Sequence, residues 1–239
     1  MTPFLSGRIS NILVQTWTIE EEMLRAFLPF DLQPDRWEGV PVVSLTAAEL
    51  VDPRALGVPL PGRRRIPQLA LEIPVKDGRR RGRRYLKQIV PRPLVANLAR
   101  VAVNEPFITA TYQLEGDEHI IRQGGREHRI GWTTEGDPRL PTERSFEEFM
   151  CNRQWVLGKH WLGIPLALRV DHPRWRVWRD VRPRMDWDPA LLFGEPWRYL
   201  VENPPMNTFV AEGSAIEVHA MAGLVEGPRA PMPREAAAT

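Results

Sequence analysis

Proline and glycine interrupt this chain so often that they argue against a bundle of long helices. Its 239 residues include 24 prolines and 17 glycines, about one position in six. Proline removes a backbone donor and glycine admits turns closed to other residues, so this punctuation favours many short strands joined by turns. A length of 239 residues and 27.5 kDa suits one domain. The expectation is a single domain over residues 1–225 and a frayed, flexible tail rich in alanine and proline over 226–239. There is no internal repeat at solenoid or propeller periods.

Two stretches carry a capping box, in which a hydroxyl accepts from the third helical amide and a glutamate reaches back. Thr18 and Glu21 open a helix running to Pro29, and Ser145 and Glu148 open another towards Gly158. Residues 92–103 read as a short helix. Strands are expected over 40–45, 66–76, 106–114, 165–178 and 208–221. Asp77-Gly78 is a hairpin-turn dipeptide returning into residues 84–90, and a second hairpin spans 118–132 around Gly124-Gly125. Strands punctuated by a few helices make the fold class α+β, with a mainly antiparallel sheet or barrel.

Composition excludes several function classes. No apolar run reaches the ~18 residues of a membrane span, and no basic segment leads into an apolar core at the N-terminus. The expectation is therefore a soluble cytoplasmic protein without membrane partners. The lone Cys151 forms no internal disulfide. The five histidines lack metal-ligand spacing, and no cofactor or metal is expected. Nucleophile-elbow, phosphate-loop and dinucleotide fingerprints are absent. Twenty-nine arginines against three lysines (Lys76, Lys87 and Lys159) raise the pI to about 9.0 at a net charge of only +2. That charge does not suit nucleic-acid binding, and the arginines at 79–84 read chiefly as a solvated hairpin. A third, weaker reading has that hairpin dock an acidic partner.

Alternation along 67–75 sets Gln68, Ala70, Glu72 and Pro74 on one face and Leu69, Leu71, Ile73 and Val75 on the other. The polar face is wet in an open sheet, but lines a cavity if the sheet closes. Glu72 is then either a surface carboxylate or a buried acid/base. On the next strand Tyr85, Lys87 and Ile89 share a face. Lys87 is either a surface lysine or a desolvated amine able to form a Schiff base.

The ordered series of motifs from about residue 14 to 221 resembles the uncharacterised bacterial YqjF-like family of the acetoacetate decarboxylase-like superfamily. The stretches that carry it are Trp17 to Pro29, Gly39 to Ser44, Val58 to Pro61, Ala99-Arg100 with Pro106-Phe107, and Phe146 to Gly158. Val170 to Trp175 looks like the family's valine–x–His–Pro–Pro–Trp segment, and Glu212 to Val218 like its closing strand. The resemblance implies a cone-like, mainly antiparallel β-barrel with an internal apolar cavity and a few outer helices. In acetoacetate decarboxylase a Schiff-base lysine and a second lysine follow a proline placed six residues after an arginine. Here Arg100 and Pro106 keep that spacing, but Phe107 and Ile108 replace the lysines. Standard acetoacetate decarboxylation is not expected.

The chain also departs from its nearer relatives. Gln68, Ala70 and Glu72 stand where the family reads Glu-Leu-Asn-x-Arg, and Tyr85 and Lys87 where it reads Phe-x-Ser. If both strands keep their facing, Glu72 and Lys87 form a buried pair in one cavity. The expected activity is that of an enzyme on a carbonyl-bearing, largely apolar small molecule, of lyase, aldol–dehydration or cyclisation type, with a place in natural-product biosynthesis among the candidates. Glu72 and Lys87 are the catalytic candidates, and Gln68, Tyr85, Arg100 and Phe107 the substrate-binding ones. A non-catalytic small-molecule binder using the same cavity is the alternative. Self-association into a homo-oligomer is left open.

Overall fold

A computed structural model describes residues 2–28, 32–60, 64–78, 80–91, 107–159 and 165–221. The expected helix over 92–103, Arg100 within it, and the C-terminal tail lie outside the described residues. Among the described residues, no helix is long and apolar enough to cross a membrane.

The chain is mostly strand. In order it forms β1 (Leu5–Thr18), α1 (Glu21–Arg25), β2 (Gln33–Pro34), β3 (Val42–Ala55), β4 (Val58–Pro59), β5 (Arg65–Asp77) and β6 (Arg80–Val90). Then come β7 (Phe107–Thr109), β8 (Thr111–Glu115), β9 (Glu118–Gln123), β10 (Arg126–Thr134), α2 (Phe146–Cys151), β11 (Trp155–Lys159), β12 (Pro165–Asp171), β13 (Val177–Trp178) and β14 (Val181–Asp186). The described residues close with α3 (Pro189–Phe193), a 3-10 turn (Glu195–Arg198), α4 (Tyr199–Glu202) and β15 (Asn207–Met221).

Neighbouring strands run in the order β5-β3-β1-β15-β12-β11-β6, and β6 pairs back onto β5, so the sheet closes into a ring. Within the ring, pairing among the described residues is antiparallel except where β11 meets β6, at Trp155 with Gly82 and Val156 with Arg83; β7 also pairs with β6 in parallel. A second sheet, in the order β14-β10-β9-β8, packs outside. One face of the ring strands supplies Ile12, Val14, Ala48, Phe209 and Ala211, which cluster with Phe146 and Met150 of α2. The opposite face of β1, β3 and β5 packs Leu13, Leu45, Leu71 and Ile73 against Ile121 and Trp132 of the outer sheet and against Trp187 and Trp197. Both faces of β5 are therefore covered: on its polar side Ala70 and Glu72 are buried and Gln68 is half-buried. Each fully buried leucine or isoleucine there contributes roughly 2 kcal/mol of transfer free energy.

Several local expectations shift because long-range pairing outranks local pattern. Thr18 is the last residue of β1, paired with Val42, so it does not cap a helix. The helix shrinks to α1, with Glu20 at its N-cap and no side-chain capping bond. Ser145 does cap α2, accepting from the Glu148 amide at 3.3 Å. Glu148 reaches the Arg144 amide instead of that of Ser145. The helix stops at Cys151, since the following residues are drawn into β11. The expected strand over 106–114 divides into β7 and β8, which belong to different sheets. That over 165–178 divides into β12 and β13 around His172. Both hairpin turns form where Asp77-Gly78 and Gly124-Gly125 place them.

The parallel β6–β11 junction depends on Gly82. A Cβ there lies 2.6 Å from the Trp155 carbonyl oxygen, a backbone atom that cannot step aside. Gly82→Ala is expected to cost about 3 kcal/mol in urea unfolding, the range of overpacked cores. Gly116→Ala, at φ 63° in an open turn with nothing nearby, is expected to cost only about 1 kcal/mol. Equal losses would show that the junction does not constrain the ring.

Candidate active site

A cavity of about 170 Å³ opens inside the ring. Its apolar wall includes Phe4, Leu50, Phe107, Val156, Trp175 and Ile216, and its polar positions are Gln68, Arg83, Tyr85, Gln88, Arg153 and His172. Gln68 comes from β5, Arg83, Tyr85 and Gln88 from β6, Arg153 from the turn between α2 and β11, and His172 from the bend after β12.

The register of β5 and β6 sets which side chains face this space. Lys87 lies opposite Leu71, but the next pair is Glu72 with Tyr85, so Leu86 is an extra residue in β6. Such a bulge reverses the facing of everything beyond it. Tyr85 and Gln88 therefore share the cavity face, and Lys87 turns with Leu71 towards the outer core. Strict alternation along β6 puts Lys87 with Tyr85; the bulge corrects that expectation and separates Lys87 from Glu72. Lys87 is partly buried, and that burial lowers the pKa of its amine.

Glu72 is 2% exposed and does pair with a cation, but the partner is Arg83, whose Nη1 lies 3.4 Å from Oε1 and 3.5 Å from Oε2. Burial opposes the charge on Arg83, yet Glu72, Tyr85 and Cys151 outweigh it and raise the guanidinium above its ordinary pKa. Glu72 stands behind Arg83 and is not itself in the cavity wall. Arg153, 1% exposed, makes the second buried pair. Its Nη1 donates to Asp35 Oδ2 at 2.9 Å and to the Gly82 carbonyl at 3.0 Å. Asp35 also accepts from Arg81 Nε at 2.7 Å. Burial raises the Asp35 pKa, but Arg81 and Arg153 together hold the carboxyl below its ordinary value.

The arginine-rich hairpin is thus less solvated than its charge run implies. Arg80 lies over the Trp155 ring, Arg81 binds Asp35, Arg83 binds Glu72, and Arg84 Nε donates to the Phe27 carbonyl. Of these, Arg83 is largely buried, while Arg81 stays mostly exposed beside Asp35.

His172 stacks on Trp175, with ring centroids 4.2 Å apart. Its Nδ1 lies 2.9 Å from the Pro173 carbonyl oxygen, which only accepts, so Nδ1 carries the proton and Nε2 a lone pair. Burial is the main cause that lowers its pKa; the Pro173 bond and Asp171 oppose this, and the charge of Arg83 adds to it. His172 and Trp175 also border a smaller adjoining space of about 50 Å³ that includes Cys151. Burial pushes the Cys151 thiol up to about 12, which suits a structural thiol and not a nucleophile.

Of the candidate residues, Gln68, Tyr85 and Phe107 line the cavity, Glu72 lies one layer behind it and Lys87 faces away. Arg100 falls outside the described residues. Sequence reasoning passed over Arg83, Gln88, Arg153, Asp35 and His172. Of these, His172 carried a signal as the histidine of the Val170–Trp175 motif, and Arg83 one as part of the arginine run at 79–84.

Over residues 7–215 the chain matches DUF2071, described as an uncharacterized conserved protein. It belongs to that family. No curated protein matches it in sequence. Among solved structures it is similar to acetoacetate decarboxylase from Legionella pneumophila, at 12% identity and a TM-score of 0.57, covering 92% of this chain and 87% of that one. It is also similar to an acetoacetate decarboxylase-like enzyme from Sphingomonas wittichii RW1, at 17% identity and a TM-score of 0.57, covering 94% and 95%. A third is the enduracididine biosynthesis enzyme MppR complexed with pyruvate, at 12% identity and a TM-score of 0.59, covering 91% and 89%. The DUF2071 chain therefore has an acetoacetate decarboxylase-like fold, mostly strand with few helices.

Removing one partner of a buried pair strands the other charge and costs about 3 kcal/mol or more. Glu72→Gln is expected to lose that much in urea unfolding, and Glu72→Gln with Arg83→Gln to regain part of it. Lys87→Met is expected to leave stability unchanged or raised, because burial already disfavours its charge. A Lys87→Met loss as large as that of Glu72→Gln would refute the facing assigned to β6.

Proposed function

We propose that this protein is an acetoacetate decarboxylase-like enzyme, kin to the YqjF-like proteins. It acts on a carbonyl-bearing small molecule inside the ring, through acid/base chemistry of lyase, aldol–dehydration or cyclisation type. One observation carries the reading: a guanidinium, Arg83, is held by a buried carboxylate against a mostly apolar cavity whose wall also includes His172. Fixed donors in a water-poor site stabilise a developing oxyanion far better than solvent donors do. Arg83 binds the carbonyl oxygen as it becomes an enolate, and Glu72 fixes the direction of that guanidinium. His172 Nε2 takes the proton from the adjacent carbon, while Gln68, Gln88 and Tyr85 orient the substrate. Phe107 occupies the wall where the resemblance places the reactive amine, and Lys87 faces elsewhere, so no Schiff base enters the reaction. The fold neighbours support this class: MppR is described as a biosynthesis enzyme, and one structure holds the condensation product of pyruvate and imidazole 4-carboxaldehyde. A biosynthetic role for this chain is part of the proposal, as are a cytoplasmic location and a small molecule as its partner.

Proton abstraction is read directly by deuterium exchange at the carbons beside the carbonyl, with pyruvate and phenylacetone as probes in D2O. The wild-type protein is expected to accelerate exchange on at least one probe. His172→Ala is expected to slow it at least ~100-fold, the usual weight of a positioned base. Because burial holds the His172 pKa below that of an ordinary histidine, the rate should be flat through neutral pH and fall only as acid protonates Nε2. Borohydride should trap no mass adduct on Lys87. Ligand-induced stabilisation without exchange would favour the binder instead, and a Lys87 adduct would overturn the mechanism.

A further inference from the structure

Arg153 has more hydrogen-bonding capacity than the fold uses. Its Nη1 is spent on Asp35 and on the Gly82 carbonyl, and the plane of its guanidinium lies over the Phe149 ring, 4.0 Å from the centroid. Nε and Nη2 are buried and have no hydrogen-bond partner. The residue is 1% exposed and lines the cavity. Buried donors left unmade are costly, and buried polar groups are nearly always satisfied, so a pair of them at a cavity wall points to a missing acceptor.

The identity of the two atoms narrows that acceptor. Nε–H and the Nη2–H beside it leave the guanidinium from a single edge, parallel and in one plane. That edge matches the two oxygens of a carboxylate. Phe149 covers one face of the group, and the edge that carries Nε and Nη2 is buried without a protein partner. The local charge agrees: three guanidiniums, Arg81, Arg83 and Arg153, stand against two carboxylates, Asp35 and Glu72. Burial lowers Arg153 to about 10, with Asp35 opposing, so the group stays cationic at neutral pH.

We propose that the ligand of this cavity is a monocarboxylate with a compact apolar body, its carboxylate held side-on by the Nε–Nη2 edge of Arg153. The apolar body lies among Leu50, Val156 and Ile216. A dry cavity of roughly 150 Å³ holds a benzene ring, which sets the size of body that fits here. The inference rests on the reading of the cavity as the substrate site and adds the chemical class of the substrate.

Benzoate and benzamide are the probes, alike in shape and different in charge. Calorimetry is expected to show benzoate binding at least tenfold more tightly than benzamide. In arginine-labelled wild-type protein, the Arg153 Nε–H resonance is expected to shift with benzoate and not with benzamide. Arg153→Lys keeps the charge but loses the fork, and should lower benzoate affinity at least tenfold. The wild-type resonance decides the matter if that variant fails to fold. Equal affinity for the two probes, or benzoate binding with the Arg153 resonance unmoved, would overturn the carboxylate site and leave the cavity as the substrate site. Failure of both to bind would overturn it as well. Exchange on neutral phenylacetone reports separately on the catalytic reading, so each can fail alone.

Discussion

The pairing of β5 with β6 is the contact on which the rest depends. It closes the ring of strands, and without it the inner faces of those strands would lie open to water. It also carries most of the site. Gln68, Glu72, Arg83, Tyr85 and Gln88 all belong to these two strands, and the extra residue Leu86 determines which of them look inward. A strand without that bulge would offer Lys87 to the cavity and a different chemistry with it.

Closure also explains the tolerance of so many charges inside. In a low-dielectric interior each guanidinium needs a carboxylate or a carbonyl within reach, or the cost of desolvation exceeds any benefit. Glu72 serves Arg83, while Asp35 serves both Arg81 and Arg153. The bias towards arginine acquires a physical reason here. A planar, weakly hydrated guanidinium can satisfy one carboxylate, stack on Phe149 and still keep a second pair of donors in reserve, which a lysine amine cannot do.

The fold was largely legible in the chain. Hairpin turns at Asp77-Gly78 and Gly124-Gly125, the alternation along 67–75 and the density of proline and glycine all report local backbone geometry, and local geometry survives folding. Helix ends were less legible. The capping pattern at Thr18 is genuine chemistry, but β1 claims that residue through its pairing with Val42. The site was legible in part. Gln68, Tyr85 and Phe107 lie on the cavity wall, where alternation and the family resemblance place them. Gln88 was hidden by the bulge. Arg153 was hidden because an arginine after a short helix carries no signal of burial.

By itself the sequence determined that this chain is a strand-rich, turn-punctuated domain and that no lysine pair follows Pro106. It also determined that a polar face on residues 68–72 opposes an apolar one. These follow from residue type and spacing alone. Tertiary structure decided that Glu72 is buried and meets Arg83 instead of Lys87, and that Arg153 and His172 reach the cavity that β5 and β6 line. Register and ring closure join residues by pairing across long separations, and a one-residue bulge there reverses the facing that alternation alone would give.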